Sequence, residues 1–86
     1  MKTFEQLWIE LEEKIANQVS GNTNSLVSSG VHDIGKKVLE EAGEVWLAAE
    51  YQSNQELALE ISQLIYHLQV IALSRGLKLS DIYQEL

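Results

Sequence analysis

The sequence predicts an all-α protein, and three observations carry that reading. Apolar residues recur every three or four positions, with no strand-like alternation anywhere in the chain. There is no proline, the residue most disruptive to a helix interior. Ser, Thr and Gly fall between the periodic segments, where helix caps are expected. With 86 residues, positions 1–86 are expected to form one domain, a small helical hairpin unit of four or five helices.

The first helix opens at Thr3, whose spacing to Gln6 is that of a capping box. Phe4, Leu7, Trp8, Leu11 and Ile15 form its apolar face, and the run ends near Val19. Ser20-Gly21-Asn22-Thr23-Asn24-Ser25 is rich in turn formers, so the connection through Ser28-Ser29-Gly30 is expected to be largely irregular. The second helix runs from about Val31 to Tyr51. Ile34, Val38, Ala42, Val45 and Ala49 form one apolar stripe, widened by Leu39 and Trp46. Gly35 and Gly43 lie inside this helix, each costing up to about 1 kcal/mol relative to alanine, and are read as points of close approach or bending.

Ser53 and Glu56 make a second capping box, which starts a third helix over about 54–75 that stops at Gly76. Between Leu57 and Leu73 this helix is apolar almost all the way round, the pattern of a helix buried on most sides. In so short a chain, a partner subunit is the simplest cover. A last short helix is predicted with Ser80 as N-cap, carrying Ile82, Tyr83 and Leu86.

Composition narrows the function. The net charge of −7 argues against a general nucleic-acid binder, which needs a basic footprint. The absence of cysteine excludes disulfides and thiolate metal sites. No apolar run is expected to approach the roughly 18–20 residues that span a bilayer. Met1-Lys2-Thr3-Phe4-Glu5 lacks the apolar core of a signal peptide, so a cytoplasmic protein without a membrane partner is expected. A chain of this size builds only a small core and commonly adds a second subunit.

The candidate functional residues lie on the two long helices. Lys37, Glu41 and Glu44 line up at the edge of the apolar stripe, with Glu40 further round. Glu41 and Glu44 are three apart and therefore neighbours on the helix surface. On the third helix, Glu56, Glu60, Gln63, His67 and Ser74 form a polar stripe. An antiparallel hairpin turning at Ser53 and Asn54 sets Glu41 and Glu44 opposite Glu60 and Gln63. Three carboxylates and an amide oxygen suit a hard cation such as Mg²⁺, which takes oxygen ligands and substrate phosphates. Such an ion also offsets repulsion between an acidic protein and a polyanionic nucleotide. The competing reading is a solvated acidic face.

Lys36 and Lys37 are candidate phosphate contacts, set against ordinary surface lysines. His67 is a candidate contact for phosphate or ribose, set against a satisfied histidine at a helix interface. His32, near the connecting region, is weighed as surface or substrate contact. Arg75 is weighed as a phosphate contact or a favourable charge at a helix C-terminus.

The run Gly35-Lys36-Lys37-Val38-Leu39-Glu40-Glu41-Ala42-Gly43-Glu44-Val45, then Ala48-Ala49-Glu50, resembles the phosphoribosyl-ATP pyrophosphatases. So do Glu60-Ile61-Ser62-Gln63-Leu64-Ile65-Tyr66-His67, Arg75-Gly76-Leu77 and the closing Leu79-Ser80-Asp81-Ile82-Tyr83. These enzymes are the histidine-biosynthesis branch of the MazG-like all-α pyrophosphatases. The resemblance implies hydrolysis of phosphoribosyl-ATP to phosphoribosyl-AMP and pyrophosphate, Mg²⁺ dependence, and a homodimer packed as a helix bundle. It implies that Glu41, Glu44 and Glu60 hold metal, with Glu40 as an auxiliary ligand or water-positioning group. Gln63 stands where the wider pattern of Glu-x-x-Glu followed by Glu-x-x-Asp has its last acid, so it offers an oxygen without a charge.

Two other functions compete. One keeps the chemistry and changes the substrate to a free nucleoside triphosphate, as in house-cleaning pyrophosphatases. The other is an acidic helical dimerisation module without catalysis.

Overall fold

Thr3 starts the first helix as its spacing predicts. Its hydroxyl accepts from the Gln6 N–H at 3.1 Å, and the Gln6 side chain accepts from the Thr3 N–H at 2.8 Å. A computed structural model describes residues 1–86 as five helices with no strand. These are α1 (Phe4–Ala16), α2 (Asn22–Ser29), α3 (Val31–Tyr51), α4 (Asn54–Ser74) and α5 (Leu79–Tyr83). The all-α expectation holds.

Helix α1 ends at Ala16, short of the expected Val19. Gln18 adopts a left-handed φ of 52°. Gln18 N–H bonds to the Ile15 carbonyl at 3.2 Å and Val19 N–H to the Lys14 carbonyl at 3.1 Å. That pair of bonds is a Schellman stop, in which the left-handed residue is usually glycine. The end of α4 uses the same device with glycine in place: Gly76 has φ 76°, and Leu77 N–H reaches the Ala72 carbonyl at 3.0 Å.

The connection between α1 and α3 is not irregular as expected; its middle is the eight-residue helix α2. Intrinsic propensity disfavours a helix in Asn-Thr-Asn-Ser-Leu-Val-Ser-Ser, so tertiary contacts decide. Leu26 and Val27 pack against the core of Leu11, Ile34 and Val70. Thr23 is buried, its hydroxyl 2.7 Å from the Tyr66 hydroxyl. The Asn24 amide donates to the Lys14 and Val19 carbonyls at 2.8 and 2.6 Å, satisfying the end of α1. Gly30, with φ 97°, caps both α2 and α3.

Helices α3 and α4 form the predicted hairpin and the largest packing surface in the chain. The Ser53 hydroxyl caps α4 by accepting from the Glu56 N–H at 3.1 Å. The inner face of α3 is Ile34, Val38, Glu41, Val45 and Ala48, all buried or half-buried. The expected stripe therefore splits. Leu39 and Trp46 are 76% and 68% exposed, on an outer face that includes Ala42 and Ala49. A Cβ built on Gly35 or Gly43 meets nothing within 4 Å, so neither glycine marks a close approach within this chain.

By length and composition α4 would suffice to cross a bilayer, with a mean hydropathy of 1.3 over its most apolar window. The expectation that no segment would reach this threshold is therefore corrected. Here α4 lies along α3 and buries His67, Gln69, Val70 and Ala72. The Gln69 amide donates to the Phe4 carbonyl at 3.0 Å, tying α4 to the start of α1. Helix α5 begins at Leu79 with Lys78 as its cap, not at Ser80: the Asp81 carboxylate accepts from the Lys78 N–H at 2.8 Å. The Tyr83 hydroxyl donates to Glu5 and its ring lies against Phe4, docking α5 on α1.

Two stability changes are expected. Ile34→Ala removes a side chain with 0% exposure and should cost about 2–5 kcal/mol, read as a lower urea midpoint at fixed protein concentration. Gln18→Gly should raise stability by up to about 1 kcal/mol, because glycine carries no left-handed penalty; an unchanged or lower midpoint would contradict this.

Candidate metal centre

Glu41 and Glu44 lie on α3, with Glu44 eight residues before Gln52, and Glu60 lies on α4, seven residues after Ser53. Antiparallel packing across that turn sets them side by side. One carboxylate oxygen from each of Glu41, Glu44 and Glu60 lies within 4.8 Å of the others. Glu41 and Glu60 are half-buried and Glu44 is exposed.

The electrostatics are those of acids forced together. Burial, then the hydrogen-bonding contact with Glu44 and its charge, pushes the Glu41 carboxyl above its ordinary value, with His67 and Lys37 acting in the opposite sense. The Glu60 carboxyl is also pushed up, first by the contact with Glu44, then by burial and by the charges of Glu44, Glu41 and Glu56. Glu41 Oε2 is buried and has no hydrogen-bond partner. A buried, unpartnered carboxylate oxygen inside a cluster of like charge is the environment a divalent cation relieves. The donor set therefore fits a hard cation.

The other sequence candidates are placed as follows. Glu40 stands outside the cluster, its exposed carboxylate 3.4 Å from Lys37 Nζ. Gln63 is exposed one turn beyond Glu60, and its backbone carbonyl faces His67 Nδ1 at 2.9 Å. His67 is 7% exposed and sits edge-on to the Tyr66 ring at 5.0 Å. It is held inside the fold, which leaves little of it for a ligand. Arg75 caps the C-terminal end of α4, about 22 Å along the helix axis from Glu60 at 1.5 Å per residue. It is not brought to this centre. His32 is exposed in the first turn of α3, about 13 Å along the axis from Glu41.

Lys36 and Lys37 share a groove of about 350 Å³ between α2 and α3, also lined by Asn22, Ser25, Ser29 and Glu40. Sequence reasoning missed the α2 side of this groove because it read that segment as irregular. The signal available was Thr23, Leu26 and Val27, at helical steps of three and four.

Fold and site together define a small helical protein whose candidate functional centre is a carboxylate cluster built across a hairpin. Over residues 1–86 the sequence matches the family described as phosphoribosyl-ATP pyrophosphohydrolase. It is 56% identical over 87 aligned positions to a phosphoribosyl-ATP pyrophosphatase of Bifidobacterium animalis subsp. lactis (strain AD011), covering 100% of both chains. It is 54% identical to a phosphoribosyl-ATP pyrophosphatase of Streptomyces coelicolor (strain ATCC BAA-471 / A3(2) / M145), covering 99% of this chain and 97% of the relative. The chain belongs to the phosphoribosyl-ATP pyrophosphohydrolase family.

The raised carboxyls give a pH test in metal-free protein. A raised folded-state pKa contributes stability that is fully present below the unfolded value, here 4.5 for each acid, and lost as pH rises through the folded value. Glu41→Gln removes the share of this dependence that belongs to Glu41 and lessens that of Glu60. The difference in melting temperature, Glu41→Gln minus wild type, should therefore grow more positive as pH rises from about 4.5, and a difference independent of pH would refute it.

Proposed function

We infer that this chain hydrolyses phosphoribosyl-ATP to phosphoribosyl-AMP and pyrophosphate, the second step of L-histidine biosynthesis, using Mg²⁺ held at the Glu41, Glu44 and Glu60 centre. The observation that carries the reading is the convergence of three carboxylates within 4.8 Å in a chain that matches this family over its full length. Glu41 offers its unpartnered buried oxygen, Glu44 and Glu60 complete the acidic face, and Gln63 is the neutral fourth donor on α4. Glu40 serves as an auxiliary group. Mg²⁺, when bound, supplies charge stabilisation on the phosphates and lowers the pKa of bound water.

The chain's own residues do the remaining work. The rigid packing of α3 on α4 fixes the relative positions of the three acids, so little reorganisation is needed when substrate arrives. Lys37, one turn before Glu41, offers a positive charge beside the cluster for a phosphate oxygen. This cation lies 3.4 Å from Glu40, so a phosphate competes with that carboxylate for it.

Assembly as a homodimer belongs to the same proposal. Only 9 of the 86 residues are buried within one chain, and Leu39, Trp46, Leu59, Ile61 and Leu68 remain exposed on the two long helices. A second copy packed over Leu39 and Trp46 of α3 and over Ile61 and Leu68 of α4 would cover them, and would also give Gly35 a neighbour. The biosynthetic chemistry of the family supports a cytoplasmic location.

Pyrophosphate release should be seen with phosphoribosyl-ATP and Mg²⁺, vanish with a chelator, and fall by about a hundredfold or more in Glu44→Gln. If phosphoribosyl-ATP is inert and a free nucleoside triphosphate turns over, a house-cleaning pyrophosphatase replaces this assignment. If no nucleotide turns over and Glu44→Gln merely stabilises the fold, a non-catalytic helical module replaces it. Trp46→Glu should shift the sedimentation of the protein from dimer to monomer, and a monomeric wild type would refute the dimer.

A further inference from the structure

The groove between α2 and α3 is separate in position from the carboxylate centre and opens along the same helix. Its walls are Asn22, Ser25, Leu26 and Ser29 on α2, and Asp33, Lys36, Lys37 and Glu40 on α3. Leu26 is its one apolar lining residue. Lys36 and Asp33 form no ion pair, since the chain's pairs join Lys2 and Lys14 to Glu10 and Lys37 to Glu40. The Ser25 hydroxyl makes no hydrogen bond, and Asn22 donates through its amide to the Tyr66 hydroxyl at 3.1 Å, leaving its carbonyl oxygen available.

Such a wall has two chemistries side by side. The ammonium groups of Lys36 and Lys37 and the Ser25 hydroxyl are donors for a phosphate, while the Ser29 hydroxyl already donates to the Leu26 carbonyl at 2.6 Å. The carboxylates of Asp33 and Glu40 accept from sugar hydroxyls. A phosphate carried on a ribose is the ligand class that uses both. The groove is also placed at a distance: Asp33 precedes Glu41 by eight residues, about 12 Å along the axis of α3. The near end, at Lys37 and Glu40, adjoins the carboxylates, while the far end is remote from them.

We propose that the α2–α3 groove binds the ribose 5-phosphate arm of phosphoribosyl-ATP, with Lys36 and Ser25 at the phosphate and Asp33 at the ribose hydroxyls. The inference rests on the activity assigned above. Phosphoribosyl-ATP carries its second ribose phosphate on the adenine ring, at the opposite end of the nucleoside from the triphosphate. With the triphosphate at the carboxylates, that arm lies a nucleoside's length away, which is where the groove leads. Free nucleoside triphosphates lack the arm and leave the groove empty. The groove is therefore the part of the molecule that separates phosphoribosyl-ATP from other triphosphates.

The same donors would also accept pyrophosphate, so the test compares the two ends of the substrate. Inhibition constants for phosphoribosyl-AMP, AMP and pyrophosphate are measured on wild type, Lys36→Met and Ser25→Glu. Both substituted side chains are exposed and line the groove, and circular dichroism checks that the helices persist. Both substitutions should raise KM for phosphoribosyl-ATP and weaken phosphoribosyl-AMP by about tenfold, leaving AMP within about twofold. Pyrophosphate should likewise be unaffected. If phosphoribosyl-AMP and AMP weaken equally, or pyrophosphate alone weakens, the groove holds another part of the substrate and the proposal is wrong. If wild type turns over phosphoribosyl-ATP and the variants match it in KM, the groove is idle while the activity assignment stands. If wild type leaves phosphoribosyl-ATP unhydrolysed, the activity assignment fails and takes this inference with it.

Discussion

Packing α3 against α4 places Glu41, Glu44 and Glu60 within 4.8 Å of one another, and repulsion among them opposes the hairpin that creates the site. The hairpin forms because its apolar contacts outweigh that repulsion: Leu11, Ile34 and Val70 make a fully buried centre between α1, α3 and α4. The site is thus built with strain of an electrostatic kind, held by a core some distance from it. A bound cation would turn the repulsion into attraction, so that ligand binding and folding would favour the same arrangement. Few other interactions in the chain have this reach, since the ion pairs are exposed and exposed pairs contribute little.

Much of this arrangement was legible in the sequence, for a local reason. Thr3 with Gln6, Ser53 with Glu56, and Gly76 act within a few residues of themselves, so their spacing reports the helix ends directly. The carboxylates were legible because a tight antiparallel turn fixes which residues face each other. Once Ser53 and Asn54 are the corner, Glu44 and Glu60 must meet. Glu40 shows where that logic stops. Its position on α3 was plain, but its carboxylate turns to Lys37, a side-chain choice that spacing does not encode.

Helix α2 was hard to read because its only local mark is the spacing of Thr23, Leu26 and Val27, set among residues of weak helical preference. Its hydrogen bonds run to Lys14, Val19 and Tyr66, and Tyr66 is more than forty positions away. Similarly, Leu39 and Trp46 belonged to the apolar pattern of α3 but not to the core of this chain. Periodicity identifies an apolar face without saying which neighbour covers it. Gln18 is a third case: a left-handed stop at a non-glycine residue carries no compositional mark.

The weak helical preference of α2 has a further effect on how the molecule behaves in time. A helix of Asn, Thr and Ser persists only while docked, so it forms a low-stability cooperative unit that opens more readily than α3 or α4. Its order is an equilibrium, set by Thr23 against Tyr66 and by Asn24 against the end of α1. Any ligand that touches both walls of the α2–α3 groove draws on that equilibrium. Part of its binding energy is spent on closing α2, and in return the amides of α2 become protected from exchange with solvent. The segment with the fewest intrinsic reasons to be helical thereby becomes the part of the fold most responsive to occupancy.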